Sequence, residues 1–440
     1  MYSAKNVSCP PSPLRTFMAK APPQKSSTLF PMNAITARHT RSVGPGALQA
    51  EVGRDGVDGH ITQTASSAPG IEISVIMPTV FWSGTFERCG RRVLSILDSA
   101  NVPTEVVFVF DGSPPPPPAW LDHPKVTIVA TGTCSGPAIA RNLAAQAARG
   151  KVLFFVDADV ELATDAIARV RDAFDADPDL VSVFGAYDDD PADKGVVSTF
   201  RNLLHHHTHV AHSGRAGTFW SGCGAIRTPV FLDIGGFDES YAYPSVEDIE
   251  LGMRIASNGG RIAIDPRLQC KHLKRWTLAS MIVTDIVHRA RPWTHLIMTS
   301  HHLPTTLNLD WRGRLSGACS VLLVGSLAAT AFAPIVPWTA WAAWASWASW
   351  AAIGLALVVI AMNHDFYRLC LKKRGVLFAV MSFVLHVLYF FYASITFGTV
   401  VLYELWFGSG RSSAYRPLLP LQQSPIPSRA VPSLASTAAR

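Results

Sequence analysis

The chain has no acidic residue before Glu51, and its first seventy or so residues lack the hydrophobic periodicity that would bury a core. That stretch, residues 1–70, is rich in Pro, Ser, Ala and Gly and is expected to be disordered. It also lacks a continuous apolar h-region, so export by a cleaved N-terminal peptide is not expected. Lys5, Arg15, Lys20, Lys25, Arg38 and Arg41 make it basic, which leaves a weak transit-like sequence or an over-extended start as alternatives. Closely spaced cysteines are missing too. Cys9, Cys89, Cys134, Cys223, Cys270, Cys319 and Cys370 include no CxxC pair, which argues against a zinc site and a disulfide framework and for a reduced, cytosolic setting of the folded part. The net charge of +6 is not gathered into a nucleic-acid-binding run; its cations are dispersed or sit beside apolar segments, which favours a membrane partner over nucleic acid.

At 440 residues the chain exceeds one ordinary domain. From Ser316 onward it becomes almost continuously apolar, and three stretches near 316–335, 338–362 and 376–403 are long enough to cross a hydrocarbon layer of roughly 30 Å at about 1.5 Å per residue. Pro334 and Pro337 end one helix and start the next, which predicts a hairpin with a minimal turn. Trp338, Trp341, Trp344, Trp347 and Trp350 recur every third residue, a pattern suited to an interfacial belt combined with packing. Arg312 and Arg314 precede the first span, and Arg368, Lys372, Lys373 and Arg374 lie in an expected loop after the second. The positive-inside rule puts both groups on the cytoplasmic side, so a multi-pass protein of the inner (cytoplasmic) membrane with a cytoplasmic catalytic domain is expected. Residues 271–315 mix cations with Trp276 and Trp293, the composition of an amphipathic interfacial region. The tail, 406–440, is expected to be disordered, outside if the spans number three and inside if the third is re-entrant.

The segment 71–270 carries the chemistry. Ile71–Thr79 reads as a strand, Cys89–Ser99 has helical spacing, and Glu105–Phe110 is a buried-type strand that ends at Asp111-Gly112-Ser113. A small-residue helix over Ala138–Ala148 leads to an apolar strand, Lys151–Val156, closed by Asp157-Ala158-Asp159. These are βαβ units, whose ligands lie beyond the carboxyl ends of parallel strands. Two carboxylates around one small residue at a buried strand end call for a positive partner, and Mg2+ or Mn2+ supplies it while keeping positions for water and phosphate. A helix cap or polar strand end is the bland alternative for an isolated Asp-x-Asp.

The order of landmarks resembles the inverting family-two glycosyltransferases of GT-A fold. It runs through Ser74–Thr79, Asp111-Gly112-Ser113, Gly136–Asn142, Asp157-Ala158-Asp159, Gly235-Gly236-Phe237-Asp238-Glu239 and Glu247–Arg254. The resemblance implies an α/β, Rossmann-like nucleotide-sugar-binding domain followed by transmembrane helices. It implies that Thr79, Asp111, Arg141 and Asp157 bind the nucleotide sugar, that Asp159 holds a divalent metal, and that Asp248, beside Glu247, is the general base. An acidic first helical turn facing the helix dipole is the alternative for that pair. Gly222 and Cys223 would line the donor sugar and acceptor, unless they serve close packing. Arg289, Arg291 and Trp293 look like an altered Q-R-x-R-W signature of processive polysaccharide synthases, on the diphosphate and acceptor side, with His288 in place of Gln and Pro292 separating Arg from Trp. Phe110 replaces the family's usual second carboxylate, and Pro114–Pro118 should form a stiff polyproline loop. The implied function is transfer of a sugar to a lipid-linked or saccharide acceptor at the membrane in envelope, exopolysaccharide or glycolipid assembly. A processive synthase and a membrane-tethered nucleotide-sugar-binding protein remain as alternatives. His205, His206, His207, His209 and His212 are expected to form a solvated or acceptor-facing helix surface, with metal binding the less favoured option.

Overall fold

The computed structural model describes residues 70–300, 310–332 and 339–407. The expected disorder of 1–70, the proline turn near 334–337 and most of the 406–440 tail lie outside the described residues.

Among the described residues nine strands form one sheet, in the order β3-β2-β1-β4-β8-β6-β9-β5 with β7 beside β9. β1 (Ile73–Thr79), β2 (Thr104–Phe110), β3 (Val126–Ala130) and β4 (Val152–Val156) run parallel, as βαβ connections require. Beyond β4 the sheet turns mixed: β8 (Cys223–Arg227) runs antiparallel to both β4 and β6 (Leu180–Tyr187), and β9 (Arg261–His272) pairs parallel with β6. Short β5 (Val160–Leu162) and β7 (Gly214–Ala216) flank β9.

Strand residues alternate between two cores. Val75, Phe108, Phe154 and Val156 pack with Phe86, Cys89 and Val93 of α1 (Gly84–Ser99), while Ile76, Val107, Val109 and Phe155 pack with Ala138, Ala140 and Ala144 of α2 (Pro137–Ala147). A strand buried on both faces must be apolar throughout, which is why β2 and β4 read as unbroken hydrophobic runs. α3 (Ala166–Ala176) and α4 (Val196–Ala211) precede and follow β6, and α5 (Thr228–Asp233) and α6 (Glu247–Ser257) follow β8.

After β9 the chain forms α7 (Leu278–Val283), a π-helical turn (Thr284–Ala290) and α8 (Arg291–Ser300). This region is not simply a surface-lying amphipathic element. Trp276 is buried with Phe200 and Leu203 of α4, and Trp293 packs against Val246 and Ile249 at the start of α6, so both tryptophans face the catalytic domain.

Three apolar helices follow: α9 (Trp311–Phe332), α10 (Thr339–Met362) and α11 (His364–Phe407). Among the described residues, α9 and α11 are long and apolar enough to cross a membrane, and Ser346–Met362 of α10 is a shorter apolar stretch. The expected loop bearing Arg368, Lys372, Lys373 and Arg374 is instead the first part of α11, which breaks at Gly375 (φ 80°) before the apolar run continues. The basic residues are good helix formers, so only the left-handed glycine marks the boundary. Lys373 pairs with Asp189 of the catalytic domain, and Phe366 and Cys370 pack beneath α4. Trp347 and Trp350 are exposed on α10.

Candidate active site

The carboxyl ends of β1, β2 and β4 define one edge of the sheet, and the acidic side chains gather there. Thr79 ends β1 and accepts the Phe81 amide on its hydroxyl. Asp111, just past β2, receives the Ser135 amide on Oδ1 (2.7 Å) and the Gly136 amide on Oδ2 (3.0 Å), so its carboxylate anchors the loop that enters α2. Asp157 follows β4, and its amide donates to the Gly222 carbonyl (3.2 Å), which joins the Asp-x-Asp turn to the segment entering β8.

Arg141, on α2, is nearly buried and spans two carboxylates: Nη2 to Asp157 Oδ1 at 2.7 Å and Nη1 to Glu247 Oε1 at 3.0 Å. Its guanidinium also faces the Phe237 ring at 5.5 Å. The structure therefore places Arg141 as the internal counter-charge of the acidic residues. Glu247, at the first turn of α6, completes its bonding by accepting the Ser245 amide (2.8 Å).

Asp248 Oδ2 accepts from the Ser221 amide (3.1 Å) and hydroxyl (3.3 Å), and Oδ1 accepts the Ile249 amide (2.8 Å). Burial first, and then the neighbouring Glu247 charge, push its carboxyl up to about 7, against the opposing effect of the Ser221 hydrogen bond and Arg141. A carboxylate with its pKa near neutrality is matched to accepting a hydroxyl proton. The close approach of α6 to residues 218–221 depends on Gly252, where a Cβ would lie 2.0 Å from the Phe219 amide nitrogen. Gly252→Ala is expected to cost about 1–3 kcal/mol and to lower activity with it. Gly84→Ala, with open space around the position, serves as the control in the same thermal unfolding series.

Asp159 Oδ2 lies 3.5 Å from Nε2 of His272, at the end of β9. Burial opposes ionisation of Asp159, but the bond and charge of His272 and the charge of Lys274 outweigh it and hold the carboxyl below its ordinary value. Asp157 and Asp159 keep about a third of their side-chain surface open, at 34% and 36%. Hard, accessible carboxyl oxygens with an imidazole alongside are the donor type a divalent cation takes when water and ligand oxygens complete its shell. Among the described residues no group of three or more His, Cys, Asp or Glu side chains is placed to hold a metal ion by itself, so substrate oxygens and water would have to complete any shell.

Several expectations change here. The space at Gly222 is filled by the Trp220 indole, within 2.6 Å of where a Cβ would sit, and Cys223 is fully buried in the core, so these residues serve close packing rather than an open sugar pocket. The histidines on α4 do not form a solvated surface. His205 and His209 lie ring to ring at 3.9 Å, tilted by 38°, and His205 packs on Tyr187 (4.1 Å) and Trp220 (4.6 Å). His212 is separate, near Asp310 (3.8 Å). Tyr187 also stacks on His272 at 4.4 Å and 8°. This aromatic wall beside the Asp-x-Asp turn was not anticipated, because its members come from β6, α4, β9 and the approach to β8. Arg291 is exposed at the start of α8 and Arg289 is half-exposed on the π-turn, 3.9 Å from Asp285.

Residues 74–235, which build most of this mixed sheet and the acidic ends of its parallel strands, match the family model Glycosyl transferase family 2. No curated protein sequence matches the chain. Among solved structures it is similar to the mannosyltransferase PcManGT from Pyrobaculum calidifontis in complex with GDP-Man and Mn2+, with 17% identity over 77% of this chain and 88% of that one and a TM-score of 0.43. It is also similar to GalNAc-T7 with UDP, GalNAc and Mn2+ (16% identity, 50% of this chain and 48% of that one, TM-score 0.36). A third is TarS from S. aureus (18% identity, 52% of this chain and 40% of that one, TM-score 0.36).

Proposed function

We propose that the cleft transfers a sugar from a nucleotide-sugar donor to a hydroxyl of a lipid-linked or membrane-adjacent acceptor, with inversion at the anomeric carbon. The observation that carries this reading is Asp248, a half-buried carboxyl on the first turn of α6 that is held by Ser221 and raised to about 7. In this scheme Asp248 takes the proton as the acceptor oxygen forms its bond to the anomeric carbon, and the bond from that carbon to the diphosphate breaks on the opposite face. Asp159, with Asp157 and His272 beside it, would hold Mn2+ or Mg2+, which supplies positive charge for the departing diphosphate. Arg141 bridges Asp157 and Glu247 and holds them in place. Thr79 and Asp111 border the nucleotide end.

The membrane side of the proposal rests on α9 and α11. Leu322, Leu327, Leu377, Val384 and Leu402 stand exposed along them, an extent of apolar surface that lipid covers and water does not. A cytoplasmic, membrane-anchored catalytic domain follows from the cations at the start of α9 and in the first part of α11.

The test is a panel of UDP-, GDP- and dTDP-sugars with Mn2+ and the purified full chain. Slow release of nucleoside diphosphate from one or two donors, stopped by EDTA and restored by Mn2+, is expected. Absence of release from every donor, or release indifferent to EDTA, would refute the proposal. Proton NMR of the product reports the anomeric configuration, and product length on a defined acceptor separates single addition from polymerisation.

A further inference from the structure

A cavity of about 220 Å³ lies where α4 of the catalytic domain meets the first turn of α9 and the junction of α10 with α11. Asn363, at that junction, donates to the Ser316 hydroxyl (2.9 Å) and so ties α9 to the chain entering α11. Asp310 caps α9 by accepting the Gly313 amide on Oδ1 (2.7 Å), and its Oδ2 lies 3.8 Å from Nε2 of His212 on α4. Phe366, His386 and Phe390, each less than a tenth exposed, give the cavity its apolar side, and their rings are occupied with one another, His386 stacking on Phe390 at 4.3 Å.

The charges in this lining are unmatched. Asp310 and Asp365 bring two carboxylates and Arg312 one guanidinium, while burial pushes the His207 imidazole down, so it adds no charge at pH 7. Among the described residues Asp310 and Asp365 pair only with His212 and His364, and Arg312 pairs with no carboxylate. Two carboxylates without a fixed cation beside a free guanidinium match a zwitterion that carries an ammonium and a phosphate. The volume falls below the roughly 300–1,000 Å³ of sites that enclose a drug-sized ligand, so it admits a headgroup and leaves acyl chains outside. An apolar track for those chains begins alongside: Trp311, Leu315 and Leu322 stand exposed on one face of α9.

We propose that the cavity binds the headgroup of a phospholipid with a primary ammonium, of the phosphatidylethanolamine class, with Asp310 and Asp365 on the ammonium and Arg312 on the phosphate. The site is separate from the strand-end cleft, and the inference rests on the membrane reading of α9 and α11 rather than on sugar transfer. A primary ammonium offers N–H donors to both carboxylates, whereas a trimethylated one offers none. The exposed cations Arg368 and Arg374 attract anionic lipid of any kind and supply no such selectivity.

The experiment titrates phosphatidylethanolamine, phosphatidylcholine and phosphatidylglycerol of identical chains onto the full chain in detergent micelles, with native mass spectrometry as the readout. One phosphatidylethanolamine should bind wild type about tenfold more tightly than phosphatidylcholine. Asp310→Asn combined with Asp365→Asn should abolish that preference without weakening phosphatidylglycerol, and its thermal midpoint should stay close to that of wild type because asparagine still caps α9. Arg312→Gln should weaken phosphatidylethanolamine by about tenfold. Glycerophosphoethanolamine, the same headgroup without chains, should compete at least about a hundredfold more weakly than the lipid. Equal binding of the ethanolamine and choline lipids to wild type, a preference that survives the double substitution, or competition by the chain-free headgroup at the strength of the lipid would overturn the inference. A wild-type chain that takes up none of the three lipids would overturn the membrane reading instead.

Discussion

Asp248→Asn is expected to lower kcat for sugar transfer by about 10²–10⁴-fold while donor affinity stays within about threefold of wild type. Asparagine keeps an acceptor oxygen for one of the Ser221 and Ile249 amides and gives up the other bond, a loss small enough for the start of α6 to hold its place. What it loses is the ability to take a proton. The variant should also lose less stability than wild type as pH rises through neutrality. Asp248 has a raised folded pKa, so between its ordinary value and about 7 the unfolded chain has released a proton that the native state retains. Stability from this group is therefore present at low pH and lost as pH rises through that window, and an amide cannot ionise. Turnover, donor binding and unfolding on both sides of neutral pH check the three parts. An Asn variant with near-normal turnover would remove Asp248 from the base role.

Arg141→Met should be the most damaging single change to stability in the cleft, at about 3–5 kcal/mol. Arg141 and Glu247 are both nearly buried, and the substitution leaves Asp157 and Glu247 without the cation they share. A second effect has a definite sign. Arg141 lowers the pKa of Asp248, so its loss raises that pKa further, and a base that must be deprotonated then requires a higher pH. The acid limb of the pH–rate profile, near pH 7 in wild type, should move upward in whatever fraction of the variant folds. Arg141→Lys should recover the charge but not the bridge, because one ammonium cannot reproduce two guanidinium contacts to carboxylates from different elements. Chemical unfolding and pH–rate profiles of both variants decide this. An unfolding curve for Arg141→Met that overlays wild type would show that the bridge contributes little.

The strand ends were legible in the sequence because burial on both faces writes β2 and β4 as unbroken apolar runs that stop at Asp111 and Asp157. The start of α6 at Glu247 was legible from its acidic turn. Contacts across long sequence separations were not. Arg141 meets Glu247 across 106 residues, and nothing in either local pattern marks the pair. His272 was read as part of a membrane-facing basic stretch, yet the pairing of β5 with β9 carries it to Asp159, because Val160 lies opposite His272 in the register. Glycine at 222 suggested space for a sugar, and only the three-dimensional packing shows the Trp220 ring in that space. The hydrogen bonds from Arg201 and Tyr392 to Asp285 were equally hidden, since each of the three belongs to a segment whose own periodicity is satisfied by burial.

The most direct measurement is calorimetric titration of nucleoside diphosphate into the wild-type chain and Asp159→Ala, each with and without Mn2+. If the strand-end carboxylates form a cation-dependent diphosphate site, Mn2+ should tighten binding at least tenfold in wild type, by about 1.4 kcal/mol, and have no effect in the variant. Binding of equal strength in all four titrations would contradict the account.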